Sequence, residues 1–251
     1  MFSIEIEFLT GRYTAHSKRG YGTTEWAPHP GRLFSALVAA YHEQGYGQKE
    51  RGALEWLETL SPPKMYAPEA RERDTVSVFV PHYDKDKIEQ QGGKKELIPK
   101  YRASSNKERT FPTVIPDEPI VHFIWEEENS EMLDGLENLV SSVPYLGDSS
   151  SLIRGTVSDN PPEPNLYPTE GKGHIELRVA GKGRLNELER SYDQGRHPEP
   201  AGTVPYESAQ ESEQQTKRVV SSKFESDTDL LILKIKNEVR LPLELSYELT
   251  S

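Results

Sequence analysis

Basic and aromatic residues are interleaved around the end of the first predicted strand and the start of the first predicted helix. They are Arg12, Tyr13, Lys18, Arg19, Trp26 and Arg32. Cations contact phosphate groups and aromatic rings stack on bases, so this pattern suits a single-stranded nucleic acid. It also suits a flexible polar loop before an ordinary helix, and the residues alone favour that plainer interpretation.

Arg32 stands where the chain enters its best helical pattern. Apolar residues recur at three- and four-residue spacing from Leu33 to Tyr41, which predicts an amphipathic helix. A cation is unfavourable at the positive end of a helix unless an anion lies near. A bound phosphate would explain Arg32, and so would an ion pair with Glu25 or Glu43. The residues do not choose between these explanations.

A second basic stretch lies within residues 82–118, which show no sustained periodicity. Between residues 94 and 109, six basic residues face two acidic ones. A loop this long in a compact domain is usually functional or disordered, so we interpret it as a clamp that orders on a partner. Its candidate contacts are Lys100, Arg102, Lys107 and Arg109, to which we add Arg154 from a later strand pattern.

The net charge of −11 argues at first against nucleic acid, but the charge is regional. Residues 126–170 hold ten acids and one base, and the rest of the chain is nearly balanced. Acids in the first turn of a predicted helix explain part of this stretch. A protein-interaction module that mimics nucleic acid is an alternative. An acidic flank beside a basic groove is another, so charge does not decide the function.

Several function classes are excluded or disfavoured by composition. The chain of 251 residues has no cysteine, which excludes disulfides and thiolate metal sites. Its seven histidines include no pair with metal-binding helix spacing, and we expect no metal and no other cofactor. Glutamates in the first strand argue against a signal peptide, and no apolar run is long enough to span a membrane. We therefore expect a cytoplasmic protein without membrane partners.

A metal-independent endoribonuclease is the competing enzymatic hypothesis. His82, Tyr83, Lys100 and Tyr101 would cleave RNA by general acid–base chemistry if they converged, with lysine stabilising the developing charge. The sequence does not predict the geometry of that stretch, and we assign no catalytic residue. Residues 181–184, Gly-Lys-Gly-Arg, give a weak phosphate-cradle signal before a helix, because they match no known phosphate-loop pattern.

The elements that must position these residues follow the order β-α-(α)-β-β-α-β, with further β elements afterwards. This order favours an α+β ferredoxin-like (RRM-like) fold over a doubly wound sheet. We expect a core at 1–158 that carries the long basic loop 82–118, and a β-rich second half at 159–251. The predicted strands are 2–8, 75–80, 120–125, 152–157, 174–179 and 229–236. The predicted helices are 32–41, 53–60, 130–140 with Ser130 as its cap, and 184–192. The stretches 159–171 and 197–217 are predicted as connectors.

Six stretches of the sequence resemble one protein family. They are FLTGRYTA (8–15), EWAPHPGRLFSALVAAY (25–41), WLETLSPP (56–63), RTFPTVIPDEPIVHFIW (109–125), VPYLGDSSSLIRGTV (143–157) and GRLNELERSYDQGRHPEP (183–200). The family is the CRISPR-associated subunit of type I-G (formerly I-U) systems. Its N-terminal half belongs to the Cas-five group of the repeat-associated RAMP superfamily.

The resemblance implies a non-catalytic, RNA-binding subunit of a type I CRISPR interference (Cascade) complex in antiviral defence. Such a subunit binds the 5′ handle of the crRNA, caps the backbone filament and contacts the large subunit near the PAM, so target DNA is an indirect partner. Family members often carry a second half that resembles the Cas-six nuclease. This chain resembles the Cas-five half alone, with a Cas-six-like domain or subunit as a partner.

Overall fold

The computed structural model describes residues 1–16, 24–73, 77–80, 107–127, 129–171, 173–209, 224–225 and 230–231. The helices are α1 (Pro30–Gln44), α2 (Gln48–Leu57), α3 (Ser130–Ser141) and α4 (Arg184–Asp193). The strands are β1 (Phe2–Phe8), β2 (Tyr13–Thr14), β3 (Lys64–Tyr66), β4 (Ala70–Glu72), β5 (Ser77–Val80), β6 (Lys107–Thr110), β7 (Thr113–Pro116), β8 (Ile120–Trp125), β9 (Ile153–Ser158), β10 (Leu166–Pro168), β11 (Ile175–Arg178), β12 (Thr203–Ser208), β13 (Phe224–Glu225) and β14 (Leu230–Leu231).

The largest sheet has seven strands in the order β11-β12-β10-β3-β8-β1-β9. Its last four strands alternate with helices along the chain as β1-α1-α2-β3-β8-α3-β9, and neighbouring strands among them are antiparallel. Numbered by their place in this βαββαβ unit, the strands lie in the order 4-1-3-2, which is the ferredoxin-like arrangement. The predicted α+β ferredoxin-like fold is confirmed.

One face of this sheet forms the core because apolar and polar residues alternate along β1. Phe2, Ile4, Ile6 and Phe8 are at most 1% exposed and pack in one apolar cluster with residues of α1, α2 and α3. Two glycines let α3 approach closely. A Cβ at Gly135 would lie 2.9 Å from a carbonyl of α2, and a Cβ at Gly155 in β9 would lie 2.6 Å from a methyl group of α3.

The second half of the chain extends the same sheet. β10 pairs with β3, β12 lies beside β10, and β11 pairs with β12 at the far edge. The start of α1 packs on this edge, since a Cβ at Gly31 would lie 3.1 Å from the carbonyl oxygen of Arg178. The chain divides into two compact units, residues 1–207 and 208–251, and β13 pairs with β14 in the second unit. The predicted boundary at residue 158 stays a prediction.

Four short strands lie where the sequence predicts irregular structure. β6 and β7 fall within 82–118, β10 within the connector 159–171, and β12 within 197–217. Each has six residues or fewer and includes or adjoins proline or charged residues, so its own pattern is too short to reveal it. Pairing with a neighbouring strand supplies the missing order. The stretch 81–106 lies outside the described residues, and so does most of the strand predicted at 229–236.

The predicted cap of α3 is off by one residue. Asn129 is the N-cap, and its side-chain oxygen accepts the backbone N–H of Glu131 at 3.2 Å. Ser130 is the first helical residue instead. Asn and Ser are both strong N-cap residues, so two adjacent candidates leave the start of the helix ambiguous in sequence.

Candidate nucleic-acid interface at the start of α1

A buried carboxylate organises the region where β2, α1 and β11 meet. The side chain of Glu25 is 1% exposed and accepts four hydrogen bonds. Tyr13 donates its hydroxyl to Oε1 at 2.6 Å, and Arg32 donates Nε to Oε1 at 2.8 Å and Nη2 to Oε2 at 2.7 Å. Arg178 donates Nη2 to Oε2 at 2.6 Å. These bonds saturate the carboxylate, which makes its burial affordable.

Arg178 is held from a second side by His29. The Nδ1 atom of His29 accepts the Nε–H of Arg178 at 2.8 Å and its backbone N–H at 3.1 Å. The second nitrogen of the ring, Nε2, lies 3.8 Å from Oε2 of Glu25. His29 thus ties the edge strand β11 to the start of α1, and an accepting Nδ1 requires the neutral ring with its proton on Nε2.

The protonation states follow from burial and the two guanidinium groups. Burial by itself raises the pKa of Glu25, but the hydrogen bond and the charge of Arg32 outweigh it and lower that pKa. Burial lowers the pKa of His29 to about 4, although Glu25 opposes the shift. Burial and the neighbouring Glu25 charge raise the pKa of Tyr13. At neutral pH the carboxylate is therefore ionised, and the imidazole and the phenol are neutral.

The cluster carries one positive charge more than it carries negative charge. Glu25 supplies one negative charge, and Arg32 and Arg178 supply two positive ones. Both guanidinium side chains are partly exposed, at 27% and 21%. The positive end of the α1 dipole adds to the same potential, because the first turn of α1 holds no acidic residue. This region can attract an anion from solution.

Of the two explanations that the sequence leaves open for Arg32, the structure supports the ion pair with Glu25. Arg32 pairs with Glu25, so a bound phosphate is not needed to account for a cation at this helix start. Arg178 is the residue that sequence reasoning missed. Arg178 lies on a predicted strand, but nothing in the pattern of that strand indicates that its side chain pairs with Glu25, which is 153 residues away in sequence.

The two aromatic residues expected to stack on bases, Tyr13 and Trp26, differ in their accessibility. Tyr13 is fully buried, and its ring packs against Phe8 and Trp26 at centroid distances of 5.3 and 6.0 Å. Neither face of its ring is open to a base in this structure. Trp26 is half-buried and donates its indole N–H to the carbonyl of Pro68 at 3.0 Å.

Arg12 and Arg154 lie near the same end of β1 but have different surroundings. Arg12 is half-buried in the turn after β1, and its buried Nε has no hydrogen-bond partner among the described residues. Arg154 is 66% exposed and donates its Nε–H to Glu7 at 2.9 Å. Glu7 therefore neutralises Arg154, whereas Arg12 has no carboxylate within ion-pair distance in the part of the chain that the structure describes.

The remaining candidates are not brought to this site by any described contact. Lys107 and Arg109 lie in β6, where they are paired with Val80 and Val78 of β5. Four candidate contacts, Lys18, Arg19, Lys100 and Arg102, lie outside the described residues. So do three of the residues proposed for RNA cleavage together with Lys100, which are His82, Tyr83 and Tyr101.

The glycine pair before α4 already has an anion of the protein's own. The carboxylate of Glu58 accepts the backbone N–H of Gly183 at 2.9 Å and that of Leu185 at 2.8 Å. Glu58 is only 7% exposed, so it occupies the position where a phosphate would bind a helix start. This geometry assigns the glycine pair to capping α4.

On the sheet face opposite the helices, the two central strands of the ferredoxin-like unit, β1 and β8, carry no Phe, Tyr or Trp. RRM domains stack bases on aromatic residues of their two central strands. Here β1 presents Ser3, Glu5 and Glu7 on that face, and β8 presents His122 and Ile124. His122 is 8% exposed, and burial lowers its pKa despite the nearby Glu5. The cationic start of α1 is therefore the better candidate for contacting nucleic acid.

Much of the acidic stretch 126–170 has partners within the described chain. Glu126 pairs with Lys64, and Asp134 lies 3.3 Å from Nζ of Lys49. Glu137 accepts the backbone N–H of Val157 in the edge strand β9 at 2.6 Å. These contacts give this stretch structural roles.

Three further properties limit what the described residues can do. They contain no group of three or more His, Asp or Glu side chains able to hold a metal ion. None of their helices is long and apolar enough to cross a bilayer. A small pocket lies between α1, the end of α2 and Trp125, and its lining residues are all uncharged. It therefore contains no acid or base for catalysis.

A family model described as "CRISPR-associated protein, GSU0054 family" matches residues 1–229. The chain belongs to the GSU0054 family. Membership gives the protein a role in CRISPR systems and implies partners within a CRISPR effector complex. A crystal structure of a CRISPR protein from Archaeoglobus fulgidus is similar at 12% identity and a TM-score of 0.25, over 70% of this chain and 67% of that chain. Such a TM-score adds nothing to the fold assignment, which rests on strand order. No curated protein sequence matches the chain.

Proposed function

We propose that this GSU0054-family protein binds the 5′ handle of the crRNA as a non-catalytic subunit of a type I-G interference complex. In this role it caps the backbone filament and contacts the large subunit near the PAM. A Cas-six-like nuclease, as a domain or a separate subunit, then processes the RNA. Family membership supports the CRISPR setting, and the resemblance of the sequence to the Cas-five half supports the finer role.

The observation that carries the RNA-binding proposal is the excess positive charge at the start of α1. Two partly exposed guanidinium groups share one buried carboxylate there. RNA supplies the complementary negative charge, and backbone contacts of this kind provide most of the affinity for a single strand. Arg12 lies in the turn after β1 and precedes Tyr13, whose hydroxyl bonds Glu25, so it belongs to the same proposed interface.

A role in acid–base catalysis is disfavoured for two histidines of the described chain, His29 and His122. Burial lowers the pKa of both His29 and His122. His29 accepts hydrogen bonds from Arg178, and His122 lies on the sheet face opposite the helices. General acid–base catalysis is most efficient when the catalytic pKa lies near the working pH, and these two rings are shifted away from it.

The test is binding of the purified chain to a synthetic RNA of its cognate repeat handle across a salt series, with RNA integrity followed in the same samples. We expect handle-specific binding that weakens with salt and leaves the RNA intact. The variant Arg12→Gln is expected to bind more weakly. The matched control is Arg51→Gln, because Arg51 is 25% exposed but neutralised by Glu189 and Glu55.

Two results would overturn the proposal. Cleavage of the handle RNA in the presence of EDTA would make the protein a metal-independent endoribonuclease. Absence of the handle from the footprint of this subunit, both alone and in the reconstituted complex, would remove the RNA-binding role.

A further inference from the structure

We propose that Arg32 and Arg178 clamp one internal phosphodiester of the bound RNA, and that Glu25 sets the charge of this clamp at a single positive unit. The inference rests on the proposed function and deepens it. It assigns the binding of one backbone phosphate to two side chains and excludes a terminal phosphate as their ligand.

The two guanidinium groups are unusually close because they share an acceptor atom. Nη2 of Arg32 lies 2.7 Å from Oε2 of Glu25, and Nη2 of Arg178 lies 2.6 Å from the same oxygen. Like charges held this near each other repel, and one carboxylate compensates only one of them. A second anion that bridges the outer edges of both groups would relieve the remaining repulsion.

Both side chains keep hydrogen-bond donors for such an anion. A guanidinium has five N–H groups in a planar fork. Arg32 directs Nε and Nη2 at Glu25, and Arg178 directs Nε at His29 and Nη2 at Glu25. The Nη1 groups have no acceptor among the described residues, and exposures of 27% and 21% bring the side chains to the surface. Forks of this type bind the paired oxygens of phosphate.

The charge of the site selects the kind of phosphate. A phosphodiester carries one negative charge and has two non-bridging oxygens, which match one surplus positive charge and two donor edges. A terminal phosphate carries about −1.5 to −2 at neutral pH. Placing that charge in a half-buried site would leave part of it uncompensated, at a desolvation penalty. The site therefore favours an internal link of the RNA backbone.

The clamp is already ordered before the RNA binds. His29 holds Arg178, and Tyr13 holds Glu25, which in turn orients both guanidinium groups. Side chains fixed in advance lose little rotamer freedom on binding, so more of each charge-assisted hydrogen bond appears as affinity.

The test replaces the phosphodiesters of the handle RNA, one at a time, with uncharged methylphosphonates and measures binding. We expect one position, or two adjacent positions, at which the substitution weakens binding to the native protein about 10- to 100-fold. In Arg178→Gln the same substitution is expected to have little further effect, because its partner is already absent. The slope of log Kobs against log salt is expected to fall by about 0.7 in this variant.

The control variant is Arg51→Gln, which removes an arginine of similar exposure that two carboxylates neutralise. It is expected to keep the native sensitivity at the critical phosphodiester. RNAs with a 5′-hydroxyl and a 5′-phosphate are expected to bind the native protein equally well. A separate preference for the 5′-phosphate that disappears in Arg178→Gln would overturn the choice of an internal diester.

A second readout separates this inference from the proposed function. Dimethyl phosphate is a monoanionic diester, and we expect it to shift the Nε–H nuclear magnetic resonance signals of Arg32 and Arg178 but not that of Arg51. If the native protein binds no RNA, these shifts would still support a diester clamp. Two results would show that the clamp is wrong while the proposed function stands. In the first, the protein binds RNA but dimethyl phosphate shifts neither arginine signal. In the second, the losses of affinity from methylphosphonate and from Arg178→Gln add at every position of the RNA.

Discussion

Two arginine–carboxylate clusters in this protein use the same residue types in opposite proportions. Around Glu25, one carboxylate receives two guanidinium groups. Around Arg51, one guanidinium group pairs with two carboxylates, those of Glu189 and Glu55, at N–O distances of 2.7 and 3.0 Å. The side chain of Arg51 is 25% exposed, and the two arginines that pair with Glu25 are 27% and 21% exposed. The two clusters therefore differ in net charge. They also differ in how deeply their carboxylates are buried.

Because their carboxylates differ in burial, the two clusters contribute differently to the free energy of unfolding. Glu189 is 22% exposed and also lies 3.3 Å from Nε2 of His42, so it joins α4 to α1 and α2 at a solvent-screened surface. Exposed pairs of this kind contribute little to stability. Glu25 is 1% exposed and has no water to replace a missing partner. A buried charge network is costly to break, because each break leaves an uncompensated buried group.

The strongest test of this comparison is Glu25→Gln. The substitution keeps the size of the side chain but leaves two adjacent guanidinium groups without their anion. We expect a loss of about 3–5 kcal/mol in the free energy of unfolding, measured by urea denaturation at pH 7. The matched variant Glu189→Gln is expected to cost about 0–1 kcal/mol. Equal losses for the two variants would contradict the assignment of Glu25 as the organising group.

The next effect concerns pH and His29. Burial lowers the pKa of His29 from 6.5 to about 4, so between these values the unfolded chain binds a proton that the folded protein excludes. Stability therefore falls as the pH is lowered from 6.5 to 4, by about 3 kcal/mol from this residue. His29→Asn keeps an acceptor for Arg178 and removes the titration. We expect urea denaturation across this range to show a smaller pH dependence for the variant.

The window for Glu25 lies lower on the pH scale. Its pKa is lowered in the folded protein, so its contribution is present above the ordinary value of 4.5 and is lost as the pH falls through the lowered value. A pH dependence between 6.5 and 4 that is unchanged in His29→Asn would therefore remove His29 as the cause.

The smallest of these effects is that of Tyr13→Phe. The ring packing of Tyr13 is kept, and one hydrogen bond of 2.6 Å to the buried carboxylate is lost. A hydrogen bond to a charged group contributes about 1.5–3 kcal/mol, and we expect a loss of unfolding free energy in that range. The control is Tyr46→Phe, because among the described residues the hydroxyl of Tyr46 bonds only uncharged groups, the carbonyl of Asn138 at 3.1 Å and the hydroxyl of Ser142 at 2.5 Å. A larger loss of unfolding free energy for the control would show that the burial of Glu25 does not determine the size of the effect.

Long periodic segments made most of the ferredoxin-like core predictable. Its second strand, β3, was not predicted, and the strand predicted at 75–80 is β5, which pairs with β6 in a separate sheet. The alternation in β1 and β8 and the three- and four-residue spacing in α1 are each long enough to identify an element, and the order of the elements then restricts the topology. The strands β7, β10 and β12 have at most six residues, and each includes a proline. Their strand conformation depends on partners that are remote in sequence, so local patterns did not reveal them.

The candidate site was predictable only in part. Its position at the start of α1 was indicated by Arg32, because a cation at the positive end of a helix needs an anion. Tyr13 was expected to present its ring to a base, and instead the ring is buried with its hydroxyl on Glu25. A tyrosine after a strand has the same local pattern whether it faces solvent or the core.

The sequence by itself determined the four helices, three of the four strands of the ferredoxin-like core, and the need for an anion beside Arg32. Only the tertiary structure decided that this anion is Glu25, that Arg178 joins it from the edge of the sheet, and that Glu58 occupies the helix start of α4. The physical reason is that hydrophobic periodicity is a local property of the chain. The partner of a long charged side chain depends on which remote elements pack within hydrogen-bonding distance of it.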